Sequence, residues 1–514
     1  MAVGRSHHLL QKRRELPAPE SVVQGASPLV SGLIGTSEAD QIKAENPEAR
    51  GCQRSGVVAP VVAAGAEAMH QHQGDAVLRA CHAPVGLQPL PSPEGSSSPV
   101  RQDPASLRGR LDTGRIHGLL DHHVSHYCEG AADLELGSGF FRPDSRPSRD
   151  LSVLLAALQL QRRQGQSCRW LDLMAGCGIR SVRWGLETPD ALADRSGLEA
   201  VALTVNDADQ ARASLLSRNL AVLASAPLRV HQTQEPAEVL LRRAYLAKER
   251  FDLIDLDAFG CPNGLLQPAL EALSFDGVLM LASTDGRSPT GHDRAAAVRR
   301  FSAAARAHPS SWDIALRLQL AAVAREAWVM GRGIKPLVSF SDGRTFRLAV
   351  QLRQRPSNDE ERHLGLLARC EACGDQSHQS MLSLQGWRSC ACGSGQGRWA
   401  VSGPLWLGPL QSPETITAML GLTDRLDQTL GTGGRKLLER LRLDPGLPVH
   451  SWSTAELARR LQLPGPPRLS ALVASLRAAG HRAQASGVMA GQLRTDASLD
   501  SLFQVCRQLG LKDR

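Results

Sequence analysis

The sequence predicts an α/β fold: a parallel sheet covered by helices on both faces, preceded by a disordered tail and followed by a smaller α+β domain. Three observations predict it. Short apolar runs recur at 168–174, 200–205, 251–256 and 277–281, with helical stretches such as 210–223 and 264–273 between them, the alternation that builds parallel sheets. All nineteen Phe, Tyr and Trp residues of the 514-residue chain lie at or after Tyr127, so the chain before it lacks the rings that anchor a core. Four of the eleven cysteines form two close pairs, Cys370-x2-Cys373 and Cys390-x-Cys392.

Along the chain, residues 1–110 are rich in Ala, Gly, Ser, Pro and Gln. Such a composition buries too little apolar surface to offset the entropy of ordering, so it reads as a tail or linker. Asp150 precedes a helical pattern from 151 to about Gly165. No apolar run approaches the ~18 residues of a membrane span, and no cleavable leader stands out at the start. The expectation is therefore a protein outside the membrane. An odd, mostly scattered set of cysteines argues for a reducing compartment, hence the cytoplasm. The net charge of +8 and pI of about 9.1 lean towards a polyanionic partner such as nucleic acid. No obligate protein partner is evident.

In a parallel sheet ligands bind beyond the carboxyl ends of the strands. After the first apolar run comes Asp172-Leu173-Met174-Ala175-Gly176-Cys177-Gly178-Ile179-Arg180. Gly176 and Gly178 let the backbone turn sharply and approach a ligand. The next run ends in Val205-Asn206-Asp207, which places a carboxylate where it can accept hydrogen bonds from ribose hydroxyls. The third glycine of the dinucleotide fingerprint and the Lys-Ser/Thr of a P-loop are both missing. A nucleoside site and a plain strand-to-helix turn with a surface aspartate both fit these residues.

The run at 251–256 continues as Asp255-Leu256-Asp257-Ala258-Phe259-Gly260-Cys261-Pro262. A carboxylate followed by an aromatic at the open end of a nucleotide-binding sheet suits methylation of an exocyclic amine. The amine lone pair is delocalised into its base, and a carboxylate bonded to N–H favours the pyramidal, nucleophilic geometry and then accepts the proton. Asp255 lies within the strand, whereas Asp257 is placed to project into the cleft and Phe259 to stack on the base. A turn-capping role for Asp257 is the alternative.

Two further segments carry chemistry. Four cysteines at this spacing can close a tetrahedral Zn²⁺ site of the structural kind, with His378 as a substitute ligand. Residues 451–514 hold nine Lys/Arg against four Asp/Glu. They read as a helix opened by Ser453-Thr454-Ala455-Glu456, a Pro/Gly turn, and a second helix from Leu469 ended by Gly480. This pattern suits a winged-helix-like nucleic-acid module or an ordinary packing pair, with Arg459, Arg460, Arg468, Arg477, Arg482 and Arg494 favouring binding. His122, His123 and His126 have helical metal spacing but no partner, and read as polar surface.

Taken together, the chain resembles the tRNA (guanine-26, N2)-dimethyltransferases. The resemblance is carried by Phe140-Phe141-Arg142-Pro143, Ser148-Arg149-Asp150-Leu151-Ser152, the glycine turn, Asp255 to Pro262, Ser283-Thr284-Asp285, Gly333-Ile334-Lys335-Pro336-Leu337, Gly403 to Pro409 and Leu493 to Ala497. It implies a class I, Rossmann-like methyltransferase domain over 111–355 that uses S-adenosylmethionine, and a zinc-binding, tRNA-binding domain over 356–514. It further implies that Arg149, Arg180 and Asp207, with the turn from Asp172 through Gly176 and Gly178, contact the cofactor. Asp257 would be the catalytic carboxylate, and Phe259 with Phe140 or Phe141 would wall the guanine pocket. Three departures stand out. Ala258 replaces a proline, which loosens the backbone before the stacking ring; Gln234-Glu235 replaces an Asp-Ala pair near the adenine; and Asp313 replaces a glutamate. An amino-methyltransferase for rRNA or DNA, and an inactive zinc-containing RNA-binding protein, are the alternative functions.

Overall fold

The computed structural model describes residues 126–163, 166–192, 201–390, 392 and 398–512. The segment 1–110, His122 and His123 lie outside the described residues. His126 opens a strand 3.5 Å from Asp133 instead of continuing a helix.

A hairpin of β1 (His126–Glu129) and β2 (Ala132–Glu135) precedes helix α1 (Arg146–Arg163). The main sheet is then laid down in alternation: β3 (Cys168–Asp172), α2 (Ile179–Ala191), β4 (Val201–Asn206), α3 (Ala213–Leu220), β5 (Arg229–Thr233), α4 (Ala237–Leu246), β6 (Phe251–Ala258), α5 (Leu266–Ala272) and β7 (Leu273–Ser283). Helices α6 (Arg294–Phe301) and α7 (Ser311–Val329) lead to β8 (Gly333–Ser341) and β9 (Phe346–Arg353). The seven strands lie in the order β5-β4-β3-β6-β7-β9-β8; those from β5 to β7 are parallel, and β9 is antiparallel to both β7 and β8. The predicted α/β class is the observed one.

Strand residues alternate between two apolar layers, as burial on both faces requires. Leu171, Ile254 and Leu279 face the layer containing α4, α5 and α7, while Trp170, Leu253 and Val278 face that of α1 and α2. The sequence reading passed over β5, which carries Arg229, His231 and Gln232 at the open edge of the sheet and shows no apolar run. It also misplaced the start of α1. Asp150 does not precede that helix; it lies inside it, buried, and ion-pairs with Arg183 at 2.8 Å.

Beyond residue 355, β10 (Leu364–Cys370), β11 (Gln376–Ser380) and β12 (Trp399–Trp406) form an antiparallel sheet in the order β11-β10-β12. Helices α8 (Pro413–Thr423) and α9 (Thr432–Arg442) return to the main body, where Ile416, Met419 and Leu438 join the layer under α1. The last segment is β13 (Ser451–Ser453), α10 (Thr454–Leu461), α11 (Leu469–Ala478), the β14 (Ala483–Ala485) and β15 (Gln492–Thr495) hairpin, and α12 (Leu499–Lys512). Ser453 caps α10 by accepting from Glu456 N. This helix, turn, helix and hairpin, with its own apolar core, has a winged-helix-like layout, one of the two arrangements the sequence left open.

A buried ion network ties that segment to the sheet. Asp313 of α7 accepts from Arg317 at 2.7 Å and from Arg494 of β15, which also donates to Asp444 at 2.7 Å. All four are buried, and Arg317 donates further to the carbonyls of Trp406, Gly408 and Gly446. Arg494 is therefore a structural residue with no surface left for nucleic acid, unlike the exposed Arg459, Arg468, Arg477 and Arg482. Burial alone would raise the Asp313 carboxyl, but Arg317 and Arg494 outweigh it and hold it at about 2, below its ordinary 3.8. A depressed carboxyl contributes stability above its unfolded value and loses it as pH falls through the folded one. The pair should accordingly be lost between about pH 4 and pH 2. Asp313→Ala, which strands two buried cations, should cost about 3–5 kcal/mol in denaturant unfolding at pH 7.

Candidate active site

Three strand ends and the loops beyond them form the site. Leu173 N donates to Asp255 O (3.0 Å), Ala175 N to Asn206 O (2.9 Å) and Gly176 N to the Asp207 Oδ2 (2.8 Å). Asn206, buried at the end of β4, joins three loops: its Nδ2 donates to the carbonyls of Leu173 and Glu235, and its Oδ1 accepts from the Thr233 hydroxyl and Glu235 N.

These loops enclose a cavity of about 440 Å³, within the ~300–1,000 Å³ typical of ligand sites. Of the residues singled out by sequence, Phe140, Phe141, Arg149, Asp172, Gly176, Arg180, Asp207, Asp257 and Phe259 line it. Gly178, Gln234 and Glu235 do not. The Glu235 carboxylate turns away to Arg243, 2.7 Å distant. The two glycines have different jobs. Both have positive φ, but a Cβ on Gly176 would meet nothing within 4 Å, whereas one on Gly178 would lie 2.7 Å from Leu216 Cδ1.

Arg149 is fixed by Glu129, donating from Nε at 2.7 Å and again from Nη2, and it lies over the Phe141 ring. Glu129 in turn holds Arg183 at 2.8 Å. At the mouth, the Phe140 and Phe259 rings meet edge to face at 5.5 Å, both largely exposed. Phe141 instead packs on Tyr127, with centroids 4.7 Å apart. The backbone around Phe259 is not loosened by Ala258. That residue is paired in the ladder with Ser283, and Gly260 N donates to Thr284 Oγ1 at 2.7 Å.

Asp257 has a partly exposed side chain at this mouth, 31% accessible. Its Oδ2 accepts from Arg180 Nη2 at 2.6 Å and Arg347 Nη2 at 3.2 Å, while Arg180 also ion-pairs with Asp255. Burial would raise the Asp257 carboxyl, but Arg347 and Arg180 together hold it well below the usual carboxylate range. Asp172 and Asp255, fully buried, are pushed up, first by burial; Asp172 is raised further by the Asp255 charge and Asp255 by that of Asp257. Arg347, Asn206 and Glu129 were missed by sequence reading because each depends on contacts far along the chain.

A second cluster lies where β10 ends. The Sγ atoms of Cys370, Cys373, Cys390 and Cys392 all lie within 4.8 Å of one another. Cys373 N donates to Cys370 Sγ at 3.5 Å, and Gly374, with φ of 81°, turns the chain back. A tetrahedral ion with ~2.3 Å bonds to sulfur sets S···S near ~3.8 Å, so the four donors fit one. His378 is not among them; its Nδ1 lies 3.0 Å from His450 Nε2. The knuckle carries α10, since Arg460 donates to Ala372 O at 2.6 Å and to Glu456, which also pairs with Arg369.

The strand order, the glycine turn and the acidic strand end define a class I methyltransferase domain. The chain belongs to the N2,N2-dimethylguanosine tRNA methyltransferase family, whose family model matches residues 135–507. It is 29% identical over 368 residues to the tRNA (guanine(26)-N(2))-dimethyltransferase of Methanosphaerula palustris, covering 71% of this chain and 90% of that one. To the enzyme of that name from Mus musculus it is 27% identical over 365 residues, covering 66% of this chain and 53% of the other. The fold is also that of Trm1 from Pyrococcus horikoshii, solved with S-adenosyl-L-methionine, at a TM-score of 0.62 and 21% identity over 74% of this chain and 99% of that one.

Gly176→Ala should weaken S-adenosylmethionine binding in calorimetry by on the order of tenfold, because its methyl enters the cavity. Gly178→Ala should instead lower unfolding free energy by about 1–3 kcal/mol through strain and crowding against Leu216.

Proposed function

We propose that this chain transfers methyl groups from S-adenosylmethionine to the exocyclic N2 of guanine 26 in tRNA, giving N2,N2-dimethylguanosine. The observation that carries the reading is Asp257, its carboxylate open to the cavity beside the paired rings of Phe140 and Phe259. The family match and the names of the relatives support the substrate.

Asp207 would receive the ribose hydroxyls of the cofactor, Gly176 would let the backbone approach it, and Arg149 and Arg180 would complete its cradle with Asp172. When bound, S-adenosylmethionine supplies an electrophilic methyl group. Guanine has to leave its stack to reach that methyl, and Phe140 and Phe259 are set to separate and receive it between them. Asp257 then orients the N2 amine by accepting one of its hydrogens. Held ionised by two guanidinium groups, Asp257 is a weak base, so it takes the proton only once methylation has made the nitrogen strongly acidic. Catalysis rests mainly on positioning.

Residues 111–355 would carry this chemistry and 356–514 the grip on tRNA, with exposed Arg459, Arg468, Arg477 and Arg482 available to phosphates. Cys370, Cys373, Cys390 and Cys392 would hold a structural Zn²⁺ ion that supplies folding energy. Among the described residues no helix is long and apolar enough to cross a membrane. The scattered cysteines suit a reducing compartment, which supports the cytoplasm as the place of action.

Nucleoside mass spectrometry of tRNA incubated with the chain and S-adenosylmethionine should show N2,N2-dimethylguanosine; modified rRNA with unmodified tRNA would refute the substrate. Asp257→Asn should lower transfer by on the order of 10²–10³-fold while leaving cofactor affinity within about twofold. Cys370→Ser should lower zinc content and unfolding temperature together, and a chelator should do the same to the unaltered chain; full zinc occupancy in the variant would contradict the assignment.

A further inference from the structure

Beyond helping to keep Asp257 ionised, Arg347 has no role assigned above. It sits on β9, on the antiparallel side of the sheet, yet it lines the same cavity as Asp257. The register explains how it reaches. Asp257 of β6 pairs with Ala282 of β7, and Ala282 pairs with Arg347 of β9, so the three lie in one row across the sheet. Directly opposed residues project from the same face, and the small, buried Ala282 leaves room for the guanidinium to pass over it to the carboxylate. The result is an asymmetric grip: Arg180 and Arg347 both donate to Oδ2 of Asp257, at 2.6 and 3.2 Å, and no donor among the described residues reaches Oδ1. The Nε of Arg347 is buried and finds no acceptor among the described residues. A buried cation with an unmet donor is costly, and this one carries that cost beside the carboxylate at the cavity mouth.

We infer that Arg347 is a positioning residue for the methyl acceptor: with Arg180 it fixes Asp257 by one oxygen and so presents the other, Oδ1, to the guanine N2–H. This rests on the transfer proposed above. In that transfer the N2 lone pair forms the new N–C bond as the S–C bond breaks, the S–C pair stays on sulfur, and the N2 proton passes to Oδ1 and then to water. Asp257 faces Asp172 from β3, Arg180 from α2, Asp255 from its own strand and Arg347 from β9. Two cations against three carboxyls keep it charged, and removing one cation weakens that hold.

The test measures kcat and KM for methyl transfer to tRNA at pH 7 for the unaltered chain, Arg347→Gln and Arg347→Lys, with S-adenosylmethionine affinity and unfolding temperature measured alongside. Arg347→Gln should lose on the order of 10–100-fold in kcat with KM for tRNA and cofactor affinity each within about twofold. Arg347→Lys should restore only part of kcat, because a point charge replaces a directed fork. A Gln variant whose kcat is unchanged, or falls only together with unfolding temperature, overturns the inference. An unaltered chain that binds the cofactor yet methylates no tRNA overturns the functional reading, and this inference with it.

Discussion

Three carboxylates, Asp172, Asp255 and Asp257, converge at the open end of the sheet, and the site can exist only because the guanidinium groups of Arg180 and Arg347 are packed among them. Parallel strands bring their ends together, and acids there would repel one another at close range without an internal cation. Arg180 supplies it from the first turn of α2, directly after the glycine turn, so the loop that lines the cavity also delivers the charge that steadies the acids. In the function proposed above, cofactor binding and methyl acceptance share that one residue.

The same solution appears at a distance. Glu129, Arg149, Arg183, Glu187 and Asp150 form a second buried network beneath the cavity, and Asp313, Arg317, Asp444 and Arg494 a third between sheet and C-terminal segment. Buried ion pairs of this kind contribute little net stability against apolar replacements, but their geometric demands select one arrangement of the elements. The C-terminal segment is therefore joined to α7 by charge as well as by the apolar contacts of Trp406, Leu410 and Val449.

How far the sequence could be read follows from the range of each contact. The glycine turn, Asp207, Asp257 and Phe259 announce themselves because each stands in a short local motif at the end of an apolar run. Ser453 as a helix cap and the paired cysteines are legible for the same reason. Strand β5 escaped because an edge strand needs no apolar run, and Asp150 was set before its helix because its partner, Arg183, lies a helix away. Arg494 looked like a nucleic-acid contact because composition reports charge and not exposure. Arg347 could not be found at all without the register that sets it in line with Asp257.

Asn206 has a consequence of its own. Its amide holds together the loops after β3, β4 and β5 through four hydrogen bonds, and an amide neither gains nor loses a proton over the range in which enzymes work. The crevice proposed for the nucleoside is thus braced in part by a neutral strut, while the Asp257 end beside it is held by ionised groups. Protonation of the acids leaves that strut, and its joining of the three loops, unchanged.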